Sequence, residues 1–196
     1  MNLFPLFGDA VAFTKINVDN NKVLNILKQT NFKIRKQKLG SLVSDTFNFL
    51  ERCSFLEKEI NKILKDYIFN VLRQNTDFQY TTSWATKTTF GNKADAHAHG
   101  NSWLTGVYYP VGDKNFKIKL HSLKPTFWSD RVIDYNIYNS RTWTFDIIED
   151  NHLIIFPSFV PHEVLTNNSK QDRYSIAFNI IPKGTIYQNT DSEITL

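Results

Sequence analysis

Residues 78–90 read FQYTTSWATKTTF. Aromatic and β-branched residues dominate the run, and polar and apolar side chains alternate along it, as in a half-buried strand. The periodicity of the whole chain changes at this point, from a helical pattern before it to a strand pattern after it.

Upstream, residues 19–30 (DNNKVLNILKQT) offer Asp19 or Asn20 as an N-cap, followed by Val23, Leu24 and Leu27 on one face. The stretch 54–75 carries a stronger signal. Ser54 and Glu57 have capping-box spacing, and Leu56, Ile60, Ile63, Leu64, Tyr67 and Val71 form an apolar stripe suited to packing on a sheet. Downstream, SWLTGVYYP (102–110), NFKIKLH (115–121), RTWTFDI (141–147), HLIIFPS (152–158) and RYSIAFNII (173–181) read as short strands separated by turn-like segments. Residues 121–141 are irregular, a lid-like insertion or a mobile loop. The expected fold class is therefore mainly β with N-terminal helices, a β-sandwich or jelly roll with helices packed on one face. We expect one domain over residues 1–196, with 1–77 as mainly helical support and 78–185 as the β core.

The composition narrows the function classes. The chain is 41% hydrophobic and 21% charged, with a net charge of +4 spread along its length, so a nucleic-acid surface is not expected. Cys53 is the single cysteine, which excludes an internal disulfide and a thiolate-rich zinc site. Its neighbourhood, FLERCSFLEKEI (49–60), suggests a buried or helix-end thiol. Residues 1–13 lack the pattern of a signal peptide, and no apolar run approaches the roughly 18 residues that span a bilayer. A cytoplasmic protein without a membrane partner is the expectation.

Only five histidines occur, and His97 and His99 stand two residues apart behind Asp95. On a strand, side chains at every second position share a face, so Asp95, His97 and His99 would point together. A distant third histidine, His162, follows an apolar strand and a Pro-flanked bend. Such a set leaves coordination positions open and suits non-haem Fe(II). Eleven residues after His162, Arg173 and Ser175 again share a strand face. A fixed guanidinium beside a hydroxyl is suited to hold a carboxylate. The pattern H-x-H, H, R-x-S thus reads as iron plus 2-oxoglutarate. His121 and His152 have no such company and read as structural or exposed. Arg131 reads as a solvated loop residue, Asn101 as a turn residue and Trp103 as a core residue.

Residues 83–110 (SWATKTTFGNKADAHAHGNSWLTGVYYP) and 153–182 (LIIFPSFVPHEVLTNNSKQDRYSIAFNIIP) resemble the 2-oxoglutarate/Fe(II) oxygenase family of bacteria and of phages of marine cyanobacteria. That family is distantly similar to prolyl 4-hydroxylases. LFPLFGDAVAF (3–13) and the helical first third match its layout, so the resemblance covers nearly the whole chain. It implies a double-stranded β-helix, cupin-like, and the cofactor and co-substrates Fe(II), 2-oxoglutarate and O2. His97 matches the first metal position, His162 the distal one, and Arg173, assisted by Ser175, the 2-oxoglutarate clamp. Where the wider superfamily carries an Asp or Glu, His99 stands here, so either His99 completes a three-histidine site or Asp95 supplies an oxygen. Tyr109 either donates a hydrogen bond to 2-oxoglutarate or faces the core.

The implied reaction hydroxylates a C–H bond of a peptidyl or small-molecule substrate, releasing succinate and CO2. The setting is the host cytoplasm if the chain is phage-encoded, and the reading allows a homodimer. Two rivals accompany it: a three-histidine cupin-type dioxygenase without co-substrate, and a non-catalytic cupin-like binding protein.

Overall fold

The computed structural model describes residues 8–34, 40–124 and 131–196. In chain order its elements are β1 (Ala12–Lys15), α1 (Asn20–Gln29), β2 (Phe32–Ile34), β3 (Ser41–Ser44), α2 (Ser54–Asp66), β4 (Asp77–Thr88) and β5 (Ala94–His97). There follow β6 (Leu104–Tyr109), β7 (Lys117–His121), β8 (Thr142–Asp146), β9 (His152–Pro157), β10 (His162–Val164) and β11 (Arg173–Lys183), then a hairpin of β12 (Thr185–Ile186) and β13 (Ile194–Thr195). The alternating run of residues 78–90 becomes most of β4, paired antiparallel with β11 along its length.

Two sheets face one another. The larger has the order β1-β9-β6-β11-β4-β3-β2 and the smaller β5-β10-β7-β8. Strands β4 to β11 thus divide between the sheets as a double-stranded β-helix, with β9-β6-β11-β4 in one and β5-β10-β7-β8 in the other. Period-two alternation gives the large sheet two buried faces. Leu104, Tyr108, Leu153, Ile155, Ile176, Phe178 and Ile180 pack against α1 and α2 in one core. Trp84, Val107, Tyr109, Ile154, Phe156 and Ala177 face Ile118 and Leu120 of β7 in a second core between the sheets. The helices therefore cover one face, and the other looks into the sandwich.

The helical readings hold in part. Asp19 caps α1, its carboxylate accepting from the Asn21 N–H. The capping box at Ser54 does not form. A 3-10 turn, Phe49–Cys53, runs directly into α2, so Ser54 already has helical dihedrals and Cys53 is the cap. The stripe Leu56, Ile60, Leu64 is buried as expected, but it ends at a π-helical turn, Tyr67–Val71. That wider turn advances the register, burying Tyr67 and Ile68 and turning Val71 to solvent. Cys53 is buried, and burial pushes its thiol up to about 11, which fits an inert packing residue. The first third also contributes three strands, β1 to β3, to the large sheet, so it is less purely helical than its sequence suggests. Of the stretches read above, residues 1–7 and 125–130 lie outside the described residues. The described parts of 122–141 contain no strand until Thr142. No helix among the described residues is long and apolar enough to cross a membrane.

Gly106 fixes the distance between β6 and β11. It pairs with Phe178, and a Cβ there would meet the Phe178 ring at 2.1 Å. That ring lies edge-on to Tyr80 at 5.6 Å, inside the helix-side core. Gly106→Ala is expected to cost about 1–3 kcal/mol through overpacking. Urea unfolding would measure it, and Phe178→Leu in the same chain should recover part of the loss.

Candidate metal centre

The two sheets bring the histidines together at one end of the sandwich. His97 ends β5 and His162 opens β10, and they are direct cross-strand partners. Their ring centroids are 4.5 Å apart. His99 lies beyond the end of β5, where its backbone N–H donates to the Ser158 carbonyl at 3.0 Å. The Nε2 atoms of His99 and His162 are 3.4 Å apart. One nitrogen from each of His97, His99 and His162 falls within 4.8 Å of the others. Among the described residues no other group of histidine, cysteine and acidic side chains is so arranged.

Each ring is held by its other nitrogen. His97 Nδ1 lies 2.7 Å from the Asp95 carbonyl and His162 Nδ1 3.2 Å from the Val160 carbonyl, so two Nε2 atoms are turned inward by backbone acceptors. His99 Nδ1 lies 3.2 Å from the Asn179 amide. Trp84 stacks on His99 with centroids 5.5 Å apart, and Phe156 meets His162 edge-on at 4.7 Å. Asp95 stands outside the group. Its carboxylate pairs with Lys93 Nζ at 2.7 Å, and the register of β5 against β10 shifts between His97 and Ala94, which breaks the period-two alternation and leaves Asp95 exposed. Asp95 is therefore not part of the group, and the third imidazole that could hold a metal with His97 and His162 is that of His99.

Arg173, the first residue of β11, is 2% exposed. Its Nη1 donates to the Leu165 carbonyl at 3.0 Å, and its guanidinium lies 5.5 Å from the centre of the Phe116 ring. Among the described residues, two buried side-chain polar atoms lack any hydrogen-bond partner, Arg173 Nη2 and Tyr109 Oη. Both residues line one cavity between the sheets, together with Ser175, Thr88 and all three histidines. Burial pushes the Tyr109 phenol up to about 12, with the Arg173 guanidinium pulling the other way. Burial likewise lowers the Arg173 pKa from its ordinary value, and Tyr109 opposes that shift. A cavity with imidazoles at one end and two unsatisfied donors at the other fits a metal ion plus a carboxylate-bearing chelator.

The remaining histidines are structural. His121 Nε2 lies 3.2 Å from Glu163, and His152 is buried against Phe13, its Nδ1 on the Glu149 carbonyl. Asn101 takes a left-handed turn conformation (φ 54°), and Trp103 packs on the helix-side core. Sequence reasoning missed Asn179, Trp84 and Thr105. For Asn179 a signal existed, since Arg173, Ser175, Ala177 and Asn179 fall at every second position of one strand.

Comparison with known proteins gives the family and the fold. The family model described as "Putative 2OG-Fe(II) oxygenase" matches residues 82–179, half of the chain and the part that holds the histidines, Tyr109, Arg173 and Ser175. The chain belongs to the 2OG-Fe(II) oxygenase family. This oxygenase therefore works with Fe(II), 2-oxoglutarate and O2. No curated protein matches it. Its fold is shared with a Trichoplax adhaerens prolyl hydroxylase in complex with a hypoxia inducible factor oxygen degradation domain peptide (16% identity, 87% of this chain and 83% of that chain, TM-score 0.60). It is shared also with a Pseudomonas putida prolyl-4-hydroxylase (15% identity, 90% and 94%, TM-score 0.56). A third similar structure is HygX from Streptomyces hygroscopicus with nickel, 2-oxoglutarate and hygromycin B bound (8% identity, 89% and 83%, TM-score 0.58).

Proposed function

We propose that the oxygenase hydroxylates a C–H bond of a peptidyl or small-molecule substrate, with His97, His99 and His162 holding Fe(II) and Arg173, Ser175 and Tyr109 holding 2-oxoglutarate. The observation that carries this assignment is the pair of orphaned donors, Arg173 Nη2 and Tyr109 Oη, in the same cavity as the three imidazoles. Bound Fe(II) supplies O2 activation coupled to oxidative decarboxylation of the 2-oxo acid to succinate and CO2. The chain's own residues bind, orient and keep the pocket dry. Arg173 pairs with the far carboxylate, Ser175 adds a hydroxyl contact, and Tyr109 donates its O–H to the same ligand. The mouth beside His97 and His99 is lined by Phe47, Thr82, Trp84 and Gly100, a surface of uncharged side chains that suits a neutral peptidyl or small organic group. The structural neighbours include one in complex with a peptide fragment and one with hygromycin B bound. The setting in this reading is the cytoplasm, the host's if the chain is phage-encoded, and the inert, buried Cys53 is compatible with a reducing compartment.

The test is oxygen consumption by Fe(II)-reconstituted protein with 2-oxoglutarate, with succinate measured in parallel. Succinate formed in step with O2 uptake supports the proposal. O2 uptake on a substrate without 2-oxoglutarate points to a three-histidine dioxygenase. Neither uptake nor a melting shift with Fe(II) points to a binding protein. Tyr109→Phe separates the ligand role from a core role. It is expected to raise the KM for 2-oxoglutarate about 10- to 150-fold, the worth of one hydrogen bond to a carboxylate. The ligand-free variant should be no less stable, because it loses only an unpartnered hydroxyl.

A further inference from the structure

Residues 165–167 tie the two sheets together at the Arg173 end of the cavity. The Leu165 N–H donates to the Lys117 carbonyl of β7, in the smaller sheet, at 3.1 Å. Two residues on, Asn167 is fully buried, and its Nδ2 donates to the Thr88 carbonyl at the end of β4, in the larger sheet, at 2.9 Å. Nδ2 also donates to the Gln171 carbonyl, and Oδ1 accepts from the Ser169 N–H, each at 2.9 Å. The Asn167 backbone grips the turn between β4 and β5. Its N–H donates to the Asn92 carbonyl and its carbonyl accepts from the Gly91 N–H, each at 2.8 Å. All the N–H donors of this asparagine are therefore used inside the protein.

This strap holds the guanidinium at both ends of its side chain. Arg173 is the direct cross-strand partner of Thr88, the residue whose carbonyl Asn167 grips, so Asn167 secures the strand pair from which Arg173 starts. Among the described residues the Arg173 side chain makes one hydrogen bond, from Nη1 to the Leu165 carbonyl at 3.0 Å, so the strap also receives its head. Nη2 is left unpartnered in the cavity that has the three imidazoles at its other end.

A ligand that bridges the imidazoles and the guanidinium has to match the gap between them. An arginine free to swing would accept chains of several lengths, whereas one held by its neighbours accepts one length best. We infer that Asn167 is the positioning residue of the clamp, and that the Leu165–Asn167 strap makes the cavity select 2-oxoglutarate over its six-carbon homologue, 2-oxoadipate. This rests on the assignment of Arg173 to the far carboxylate of 2-oxoglutarate. The extra methylene of 2-oxoadipate drives its far carboxylate against a head group that the Leu165 carbonyl keeps in place. Loosening the strap lets Arg173 give way, so the shorter acid binds less well and the longer one gains relative to it.

The test is calorimetry of the Mn(II)-loaded full chain with 2-oxoglutarate, 2-oxoadipate and 2-oxobutyrate, which has no far carboxylate, alongside Mn(II) affinity and thermal melting. The parent is expected to bind 2-oxoglutarate about 10- to 200-fold more tightly than 2-oxoadipate. Asn167→Ser removes the amide donors to Thr88 and Gln171. It should weaken 2-oxoglutarate about 10-fold and cut the preference over 2-oxoadipate about 5-fold or more, with 2-oxobutyrate and Mn(II) binding unchanged. Asp113→Ala is the control, since Asp113 holds the same loop from outside, accepting from Ser169 Oγ at 2.9 Å and Gln171 Nε2 at 3.0 Å. It should lower the melting temperature and keep the parent's preference. The inference is overturned if the parent binds both diacids equally well, a result that needs no variant, or if folded Asn167→Ser keeps the parent's preference. A variant that weakens 2-oxobutyrate as much as 2-oxoglutarate also overturns it, because a merely structural asparagine acts that way. If Arg173→Met binds 2-oxoglutarate like the parent, the assignment of Arg173 falls, and the inference with it.

Discussion

His162→Ala is expected to abolish metal binding and 2-oxoglutarate turnover together. His162 is 3% exposed, cross-strand to His97 and stacked on His99, so it meets both other rings of the group. Removing it leaves two imidazoles, too few for a stable three-ligand face, and Fe(II) or Mn(II) affinity should fall by at least about 100-fold. Thermal melting reports this directly. Metal at about 100 times Kd raises stability by roughly 2.7 kcal/mol, and the variant should lose that increment. His121→Ala is the control, since His121 sits in the adjoining strand on Glu163 and away from the group. A His162→Ala chain that still gains melting temperature with Fe(II) and still forms succinate would refute the site.

Arg173→Met separates binding from stability in opposite directions. The guanidinium is buried with one carbonyl, one ring and no carboxylate partner among the described residues. Such an unpaired charge is tolerated where a ligand supplies the counter-ion. Losing a buried charge-assisted contact to the co-substrate should cost roughly 2–5 kcal/mol, or about 30- to 4000-fold in 2-oxoglutarate KM. The ligand-free variant should be as stable as the parent or more stable, by up to about 4 kcal/mol, because an apolar side chain of similar reach replaces an uncompensated charge. Metal affinity should not change. Succinate assays and urea unfolding measure the two effects, and a variant with the parent's KM would remove Arg173 from the co-substrate site.

The β core was legible because burial on both faces of the large sheet gives β6, β9 and β11 short, nearly continuous runs rich in β-branched and aromatic residues, bounded by turn-like segments. The helix boundaries were less so. Ser54 and Glu57 had the right spacing, but a preceding 3-10 turn had already satisfied the start of α2, and one π-helical turn moved Val71 off the apolar stripe. Strands β1 to β3 are three or four residues long and take their character from the sheet they join, which no local pattern records. That His97, His162 and Arg173 would meet around one cavity could be read from residue type and order. Whether Asp95 or His99 joined His97 and His162 in space depended on a register shift within β5, a matter of cross-strand pairing. Asn179 was missed because an amide has no distinctive chemistry until its neighbours in space are known.

The most direct measurement is an anaerobic crystal structure with Mn(II) and N-oxalylglycine, a non-reacting analogue of 2-oxoglutarate. The metal should lie within bonding distance, about 2.0–2.3 Å, of Nε2 of His97, His99 and His162, with the far carboxylate of the analogue on Arg173 and Tyr109. A metal held by Asp95 in place of His99, or an analogue whose far carboxylate stands away from Arg173, would contradict the account.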